Sequence, residues 1–221
     1  CEKFKQEGKE EWIKEKCGLL LDPYFSASKI RWILDHVEGA QEKAERGELL
    51  FGTMDSWLLW KLTQGECHMS DVSNVSRTML MNLDTLQYDE ELLKLWNIPK
   101  CMLPEIVDSS KIFGHVKGLF AQPIPIASMI GDQQAALFGQ TCFEAGSVKN
   151  TYGTGCFLLM NTKNKRIHSK HGLLTCAGWS IQGECTYVLE GSVFIAGAVI
   201  QWLRDNLQII SDSSESEKMA V

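Results

Sequence analysis

Gly131-Asp132-Gln133-Gln134 and Asn150-Thr151-Tyr152-Gly153-Thr154-Gly155-Cys156-Phe157 decide the reading of this chain. The first segment follows Ile124-Pro125-Ile126-Ala127-Ser128-Met129-Ile130, a short apolar run of the kind a buried strand shows. It opens an Ala- and Leu-bearing helix beginning near Gln134. Asp132 therefore falls at the carboxyl end of a strand, where open α/β sheets gather their ligands. The second segment reads as two β-runs joined by Gly-Thr-Gly, whose glycines let backbone N–H groups approach an anion closely because they carry no Cβ. Each signal has a plainer alternative. Asp is a leading N-cap residue, so Asp132 equally reads as the cap of its helix. Gly-Thr-Gly between strands equally reads as an ordinary turn.

Working outward, 221 residues with 44% hydrophobic content suffice for a packed core, in one large domain or parts of two. A net charge of -6, with no Lys/Arg cluster to offset it, argues against nucleic acid as a partner. The eight cysteines are scattered without Cys-x-x-Cys or a zinc-like Cys/His spacing. They read as mostly buried thiols in a reducing cytosol, so a cytoplasmic protein is expected. The five histidines, His36, His68, His115, His168 and His171, have no metal spacing and read as surface or satisfied residues. The longest apolar stretch, Val193 to Ile200, falls far short of the roughly 20 residues of a membrane span. The chain opens at Cys1 and stops at Glu217-Lys218-Met219-Ala220-Val221 with a helical pattern unfinished, so both ends are expected to be cut.

Residues 2–16 are dense in Lys and Glu and predict a solvated helical face. Ser26 is placed to cap a helix with Ile30, Ile33, Leu34 and Val37 on its apolar side. A charged helix over 39–46 leads into a strand-like 49–53, and Trp57 to Leu62 predict a short buried helix ended by Gln64-Gly65. Residues 66–123 read as an insertion of short helices and turns, with cap or turn chemistry at Asp71-Val72-Ser73-Asn74 and Asp84-Thr85-Leu86-Gln87. Strands are expected at 124–130, 147–152, 157–161 and 186–189, and a helix from Ser192 to Leu207. The domain boundary is expected near 139–147, where helix gives way to a fresh set of strands.

Tyr24-Phe25-Ser26-Ala27-Ser28-Lys29-Ile30-Arg31-Trp32-Ile33-Leu34-Asp35-His36 resembles the first signature of the FGGY carbohydrate kinases. Further blocks resemble the glycerol-phosphorylating branch of that family: Phe51-Gly52-Thr53 with Asp55 through Thr63, Ser76-Arg77-Thr78-Met79-Leu80, Gly131 through Gly139, and Asn150 through Asn161. Leu189-Glu190-Gly191-Ser192 and Ile200 through Asp205 complete a likeness that covers essentially the whole chain. The resemblance implies a ribonuclease-H-like, actin-like α/β sugar kinase fold. It assigns residues 1–143 to the later part of the first domain, on the polyol side, and 144–221 to the start of the second, on the nucleotide side. The amino-terminal phosphate hairpin and the distal adenine segment of such folds have no counterpart in the match, so the piece alone is expected to be inactive.

By the same resemblance Asp132 is the general base of an ATP-dependent phosphorylation of glycerol, and Gln133 helps hold the triol. Tyr24 and Phe157 line the polyol site, although Phe157 by itself equally reads as a core aromatic. Gly153, Thr154 and Gly155 are expected to grip ATP phosphates, and Gly197, Ile200 and Gln201 to stand on the nucleotide side. Close helix packing is the other reading of Gly197. Mg²⁺ is expected to arrive with ATP, with no metal ligand in this chain. The full-length protein is expected to be a homo-oligomer. A pentulose-type kinase of the same family, or a non-catalytic chain binding a polyol or a partner, stands as the alternative. One departure is informative: bisphosphate-controlled relatives carry Gly-Gly-x-Arg where this chain has Ala121-Gln122-Pro123-Ile124-Pro125. Without that arginine, fructose 1,6-bisphosphate control is not expected.

Overall fold

A computed structural model describes residues 1–220. The charged amino-terminal stretch forms α1 (Glu2–Gln6) and α2 (Glu10–Cys17), separated at Gly8, whose φ of 70° favours glycine. Only part of this stretch is a solvated face, because α2 buries Ile13 and Cys17. It ends at Gly18 in the left-handed region. There the backbone crosses the later sheet so closely that a Cβ would lie 2.1 Å from the Thr175 carbonyl oxygen.

Next comes α3 (Ser26–His36), with Ile30 and Leu34 buried but Ile33 and Val37 half exposed. Ser26 is not its cap: Phe25 holds that position, and the Ala27 N–H donates to Thr78 O at 2.9 Å. After α4 (Ala40–Glu45) the expected strand over 49–53 is an irregular segment. Its backbone is satisfied instead by Phe51 N–H donating to Met102 O at 2.7 Å and by the His68 ring donating to Phe51 O at 2.7 Å. The helix α5 (Met54–Leu62) forms as expected but is not buried, since only Ser56 and Leu59 point inward while Trp57 and Leu58 are half exposed.

The supposed insertion is in part a structural centre. It holds β1 (Met69–Asp71), α6 (Val72–Val75), a small hairpin of β2 (Met81–Asn82) and β3 (Gln87–Tyr88), and α7 (Glu90–Trp96). A 3-10 turn (Lys100–Met102) and β4 (Glu105–Val107) follow, and β4 pairs parallel with β1. Strands of three residues are too short for alternation to show in the sequence. Then β5 (Ser110–Val116) pairs antiparallel with β6 (Ile124–Ser128). The expected buried strand β6 is instead a largely exposed ribbon edge; Ile126 packs partly inward, and Met129 beyond the strand is buried against Leu59, Val107 and Phe113.

Helix α8 (Asp132–Gly139) leads to an antiparallel sheet of β7 (Val148–Tyr152), β8 (Cys156–Lys163), β9 (Leu174–Ile181) and β10 (Glu184–Val193), in the order β7-β8-β10-β9. β9 escapes sequence inspection because six successive residues, Thr175 to Ser180, are all buried, which removes the alternation of a half-exposed strand. α9 (Gly197–Asp205) begins later than expected, because Ser192 and Val193 still belong to β10 and the chain bends before Gly197. The last helix is α10 (Glu215–Met219); Val221, where the helical pattern was left unfinished, lies outside the described residues. The main core joins Ile13, Leu21, Ile30, Leu34, Leu92, Trp96, Leu137, Leu159, Trp179 and Val188, so it runs unbroken past residues 139–147. This continuity brings α8 against β7 and β8.

Candidate functional site

Tyr24, Asp132, Gln133 and Phe157 meet at one small cavity of about 180 Å³, together with Asn74, Arg77, Gly131, Gln134 and Glu190. Asp132 is the first residue of α8; Gly131 takes the cap position and no side chain caps the helix. The cap reading of Asp132 is thereby replaced. Its exposed carboxylate accepts a hydrogen bond from Gln133 Nε2 at 3.1 Å through Oδ2. An acid in the first turn is still favoured by the helix dipole.

The strand end is held by a buried hub. Asp71 Oδ1 accepts from the Asn74 N–H at 3.0 Å and from Asn74 Nδ2 at 2.8 Å, while Oδ2 accepts from the Ser109 hydroxyl at 2.6 Å. Ser73 Oγ donates to Asp71 at 2.7 Å and accepts from the Gly131 N–H at 2.8 Å. One carboxylate thus caps α6, orients Asn74 and fixes the residue before Asp132. Burial pushes the Asp71 carboxyl above its usual range, against the opposing pull of these hydrogen bonds.

Across the cavity Arg77 makes a bidentate pair with Glu190 at 2.8 and 3.0 Å, and Ser192 Oγ donates to the same carboxylate at 3.0 Å. The guanidinium lies over Phe25, 5.2 Å from the ring centroid. Burial would lower the Arg77 pKa, but the adjacent Cys176 sulfur and the Glu190 carboxylate raise it above its ordinary value, so it stays cationic. Cys176 donates no proton readily, because burial pushes its thiol up to about 11. The ring of Tyr24 lies 5.4 Å from that of Phe194, which joins the amino-terminal elements to the bend after β10.

Beneath Gln133 lies Lys149, only 1% exposed. Its Nζ donates to Gln133 Oε1, to Thr151 Oγ1 at 2.9 Å and to Phe157 O at 3.1 Å. Burial lowers its pKa, opposed by the charges of Glu190 and Asp132.

The Gly-Thr-Gly tip closes the β7–β8 hairpin, with Gly153 N–H donating to Gly155 O at 2.8 Å. Its carbonyls accept from the start of α9: Ala196 N–H to Thr154 O at 2.8 Å and Gly197 N–H to Gly153 O at 3.0 Å. Close packing explains two glycines, since a Cβ on Gly197 would lie 2.5 Å from Gly153 O and one on Gly155 2.7 Å from Val193 O. Gly153 is different. Its φ is not in the left-handed region, and a Cβ there would meet nothing nearer than 3.9 Å. Neither strain nor packing requires that glycine, which fits a surface that an anion approaches closely. Ile200 is half buried and Gln201 exposed on α9, beside this tip and outside the small cavity.

Sequence inspection missed Asn74, Arg77, Lys149 and Glu190 as site residues. For Arg77 and Glu190 the signal is a lone charged residue set among apolar and hydroxyl neighbours, as in Val75-Ser76-Arg77-Thr78-Met79 and Val188-Leu189-Glu190. All eight thiols are free, but only Cys17 and Cys176 are buried and Cys101 is exposed, so the expectation of mostly buried thiols does not hold. Among the described residues no group of three His, Cys, Asp or Glu side chains is arranged to hold a metal, and no helix is long and apolar enough to cross a membrane. Glu190 is committed to Arg77.

Residues 1–139 match the N-terminal domain model of the FGGY family of carbohydrate kinases, and residues 148–221 match its C-terminal domain model. The chain is 59% identical to a glycerol kinase of Bacillus licheniformis and 56% identical to one of Stenotrophomonas maltophilia, in each case over 100% of this chain and 45% of the relative. It thus spans under half the length of these relatives. A crystal structure of Plasmodium falciparum glycerol kinase with ADP superposes with a TM-score of 0.91 at 39% identity, over 98% of this chain and 44% of that one. A xylulose kinase from Rhodospirillum rubrum shares the fold, with a TM-score of 0.80 at 14% identity, over 97% of this chain and 43% of that one.

Proposed function

The chain belongs to the FGGY family of carbohydrate kinases, and from that premise we propose that its full-length protein phosphorylates glycerol at the expense of ATP to give sn-glycerol 3-phosphate. The observation that carries this reading is the convergence of Asp132, Gln133, Tyr24 and Phe157 on one cavity. The cavity, about 180 Å³, is lined mostly by polar side chains able to hydrogen-bond a polyol.

In this reading Asp132 takes the proton of the reacting hydroxyl as its oxygen bonds to the γ-phosphorus of ATP, while the bond from that phosphorus to the β,γ-bridging oxygen breaks and ADP leaves. The Asp132 carboxylate is exposed at the cavity and accepts only from Gln133, so an acceptor oxygen stays open to substrate. Gln133 supports the triol with its amide, the Tyr24 phenol with a hydrogen bond, and the Phe157 ring by packing against the carbon chain. The Arg77–Glu190 pair forms the charged wall opposite. ATP, the second substrate, supplies the phosphoryl group; Gly153, Thr154 and Gly155 would meet its phosphates, with Gly197, Ile200 and Gln201 on the nucleotide side. Residues 1–143 would then be the later part of the polyol-side domain and 144–221 the start of the nucleotide-side domain. A cytoplasmic homo-oligomer using MgATP completes the proposal, the metal's ligands lying outside this chain.

Coupled assays of the full-length protein with glycerol, xylulose and gluconate at equal concentration test it. Glycerol is expected to be strongly preferred. A preference for the pentulose would overturn the assignment.

A further inference from the structure

The three N–H donors of Lys149 are all spent on neutral acceptors from different places: Gln133 on α8, Thr151 on β7 and the Phe157 carbonyl on β8. A lysine ammonium has no acceptor capacity. The Gln133 side chain therefore has to present its oxygen to Lys149, which sends its NH₂ the other way, to Asp132 Oδ2 at 3.1 Å. Turning the amide over would set NH₂ against NH₃⁺ and carbonyl against carboxylate, unfavourable at both ends. A surface role does not explain a lysine 1% exposed. Nor does a buried ion pair, because none of its hydrogen-bond acceptors is charged.

We infer that Lys149 is a positioning residue for the polyol site, locking the Gln133 amide with its donor face toward Asp132 and the substrate while tying the Phe157 backbone to the same point. The inference rests on the reading of this cavity as the polyol site. It assigns to a buried strand lysine the choice of what Gln133 offers a ligand: N–H donors beside the carboxylate, so that a hydroxyl there is held by a donor while its own proton faces Asp132. The hydrogen bond from Gln133 Nε2 also holds the Asp132 carboxylate in place.

The test is a double-mutant cycle in the full-length protein with Lys149→Met and Gln133→Ala. Loss of one positioned hydrogen bond predicts that Lys149→Met raises the glycerol KM about tenfold while the KM for ATP stays within about twofold. In the Gln133→Ala background the same change is expected to have little further effect on the glycerol KM, because there is no amide left to orient. A merely structural role predicts equal effects in both backgrounds, and that result overturns the inference. Should Lys149→Met fail to fold, Gln133→Glu decides: it keeps a partner for Lys149 but removes the donor facing Asp132, so a folded enzyme with raised glycerol KM is expected, and an unchanged KM overturns it. A crystal structure of the full-length Lys149→Met variant gives a substrate-free readout, with the Gln133 amide expected to leave its Asp132 contact; an amide that stays put overturns it. If the unmutated protein does not phosphorylate glycerol, the proposed function falls, while the Gln133 amide still decides the inference.

Discussion

Asp132 caps nothing, and its carboxylate's one hydrogen bond is to Gln133, so its substitution separates chemistry from folding. In the full-length protein Asp132→Asn is expected to lower kcat for glycerol by about 10²–10⁴, the usual worth of a general base. The fold loses only a favourable charge in the first helical turn, so the melting temperature should move by a few degrees at most. Measuring kcat and thermal unfolding side by side checks this, and near-normal turnover would remove Asp132 from the proton transfer. Asp132, Gln133, Tyr24 and Phe157 were named through the family resemblance, and the fold brings all four to one cavity. Lys149 was not, since a lysine between Val148 and Asn150 has the look of a solvent-facing strand residue. What makes it functional is three acceptors brought from 133, 151 and 157 by tertiary folding, which no local pattern encodes.

At the scale of elements, the β7–β8 hairpin and the start of α9 form one backbone-to-backbone seam. Gly197→Ala would force a Cβ to within 2.5 Å of Gly153 O, with backbone rather than a flexible side chain in the way. A loss of about 1–3 kcal/mol is expected, as for other overpacked sites, visible as a lower denaturation midpoint. Gly153→Ala is expected to behave oppositely: it meets nothing nearer than 3.9 Å, so stability should hold while the KM for ATP rises severalfold. Equal stability losses in the two variants would contradict the assignment of Gly153 to a ligand face. Part of this was visible in the Gly-Thr-Gly motif itself, but the seam was not. The expected helix from Ser192 ran across the end of β10 because Val193, Ala196 and Gly197 happen to fall at helical spacing. Pairing of Ser192 and Val193 with Phe157 and Cys156 overrides that spacing.

Over the whole molecule, Arg77 and Glu190 join segments 113 residues apart. Arg77→Met leaves Glu190, only 3% exposed, as a buried charge without its partner. A destabilisation of about 3–5 kcal/mol is expected for such a broken pair, and much of it should return when Glu190→Met is added. Urea unfolding of both variants checks it; an unaffected single variant would show the pair to be incidental. The α/β character and the late run of strands were legible at this scale. The parallel pairing of Met69–Asp71 with Glu105–Val107 was not, because two three-residue strands acquire meaning only once α6, α7 and the small hairpin have brought them side by side. The seam between the hairpin tip and α9 bears on motion as well. With Gly153 and Thr154 carbonyls both accepting from α9 amides, the tip and the start of its helix are expected to move as one unit rather than the tip alone acting as a flap. In the proposed reaction, the approach of phosphate to hydroxyl is then expected to come from movement of larger parts of the full-length protein rather than of this tip.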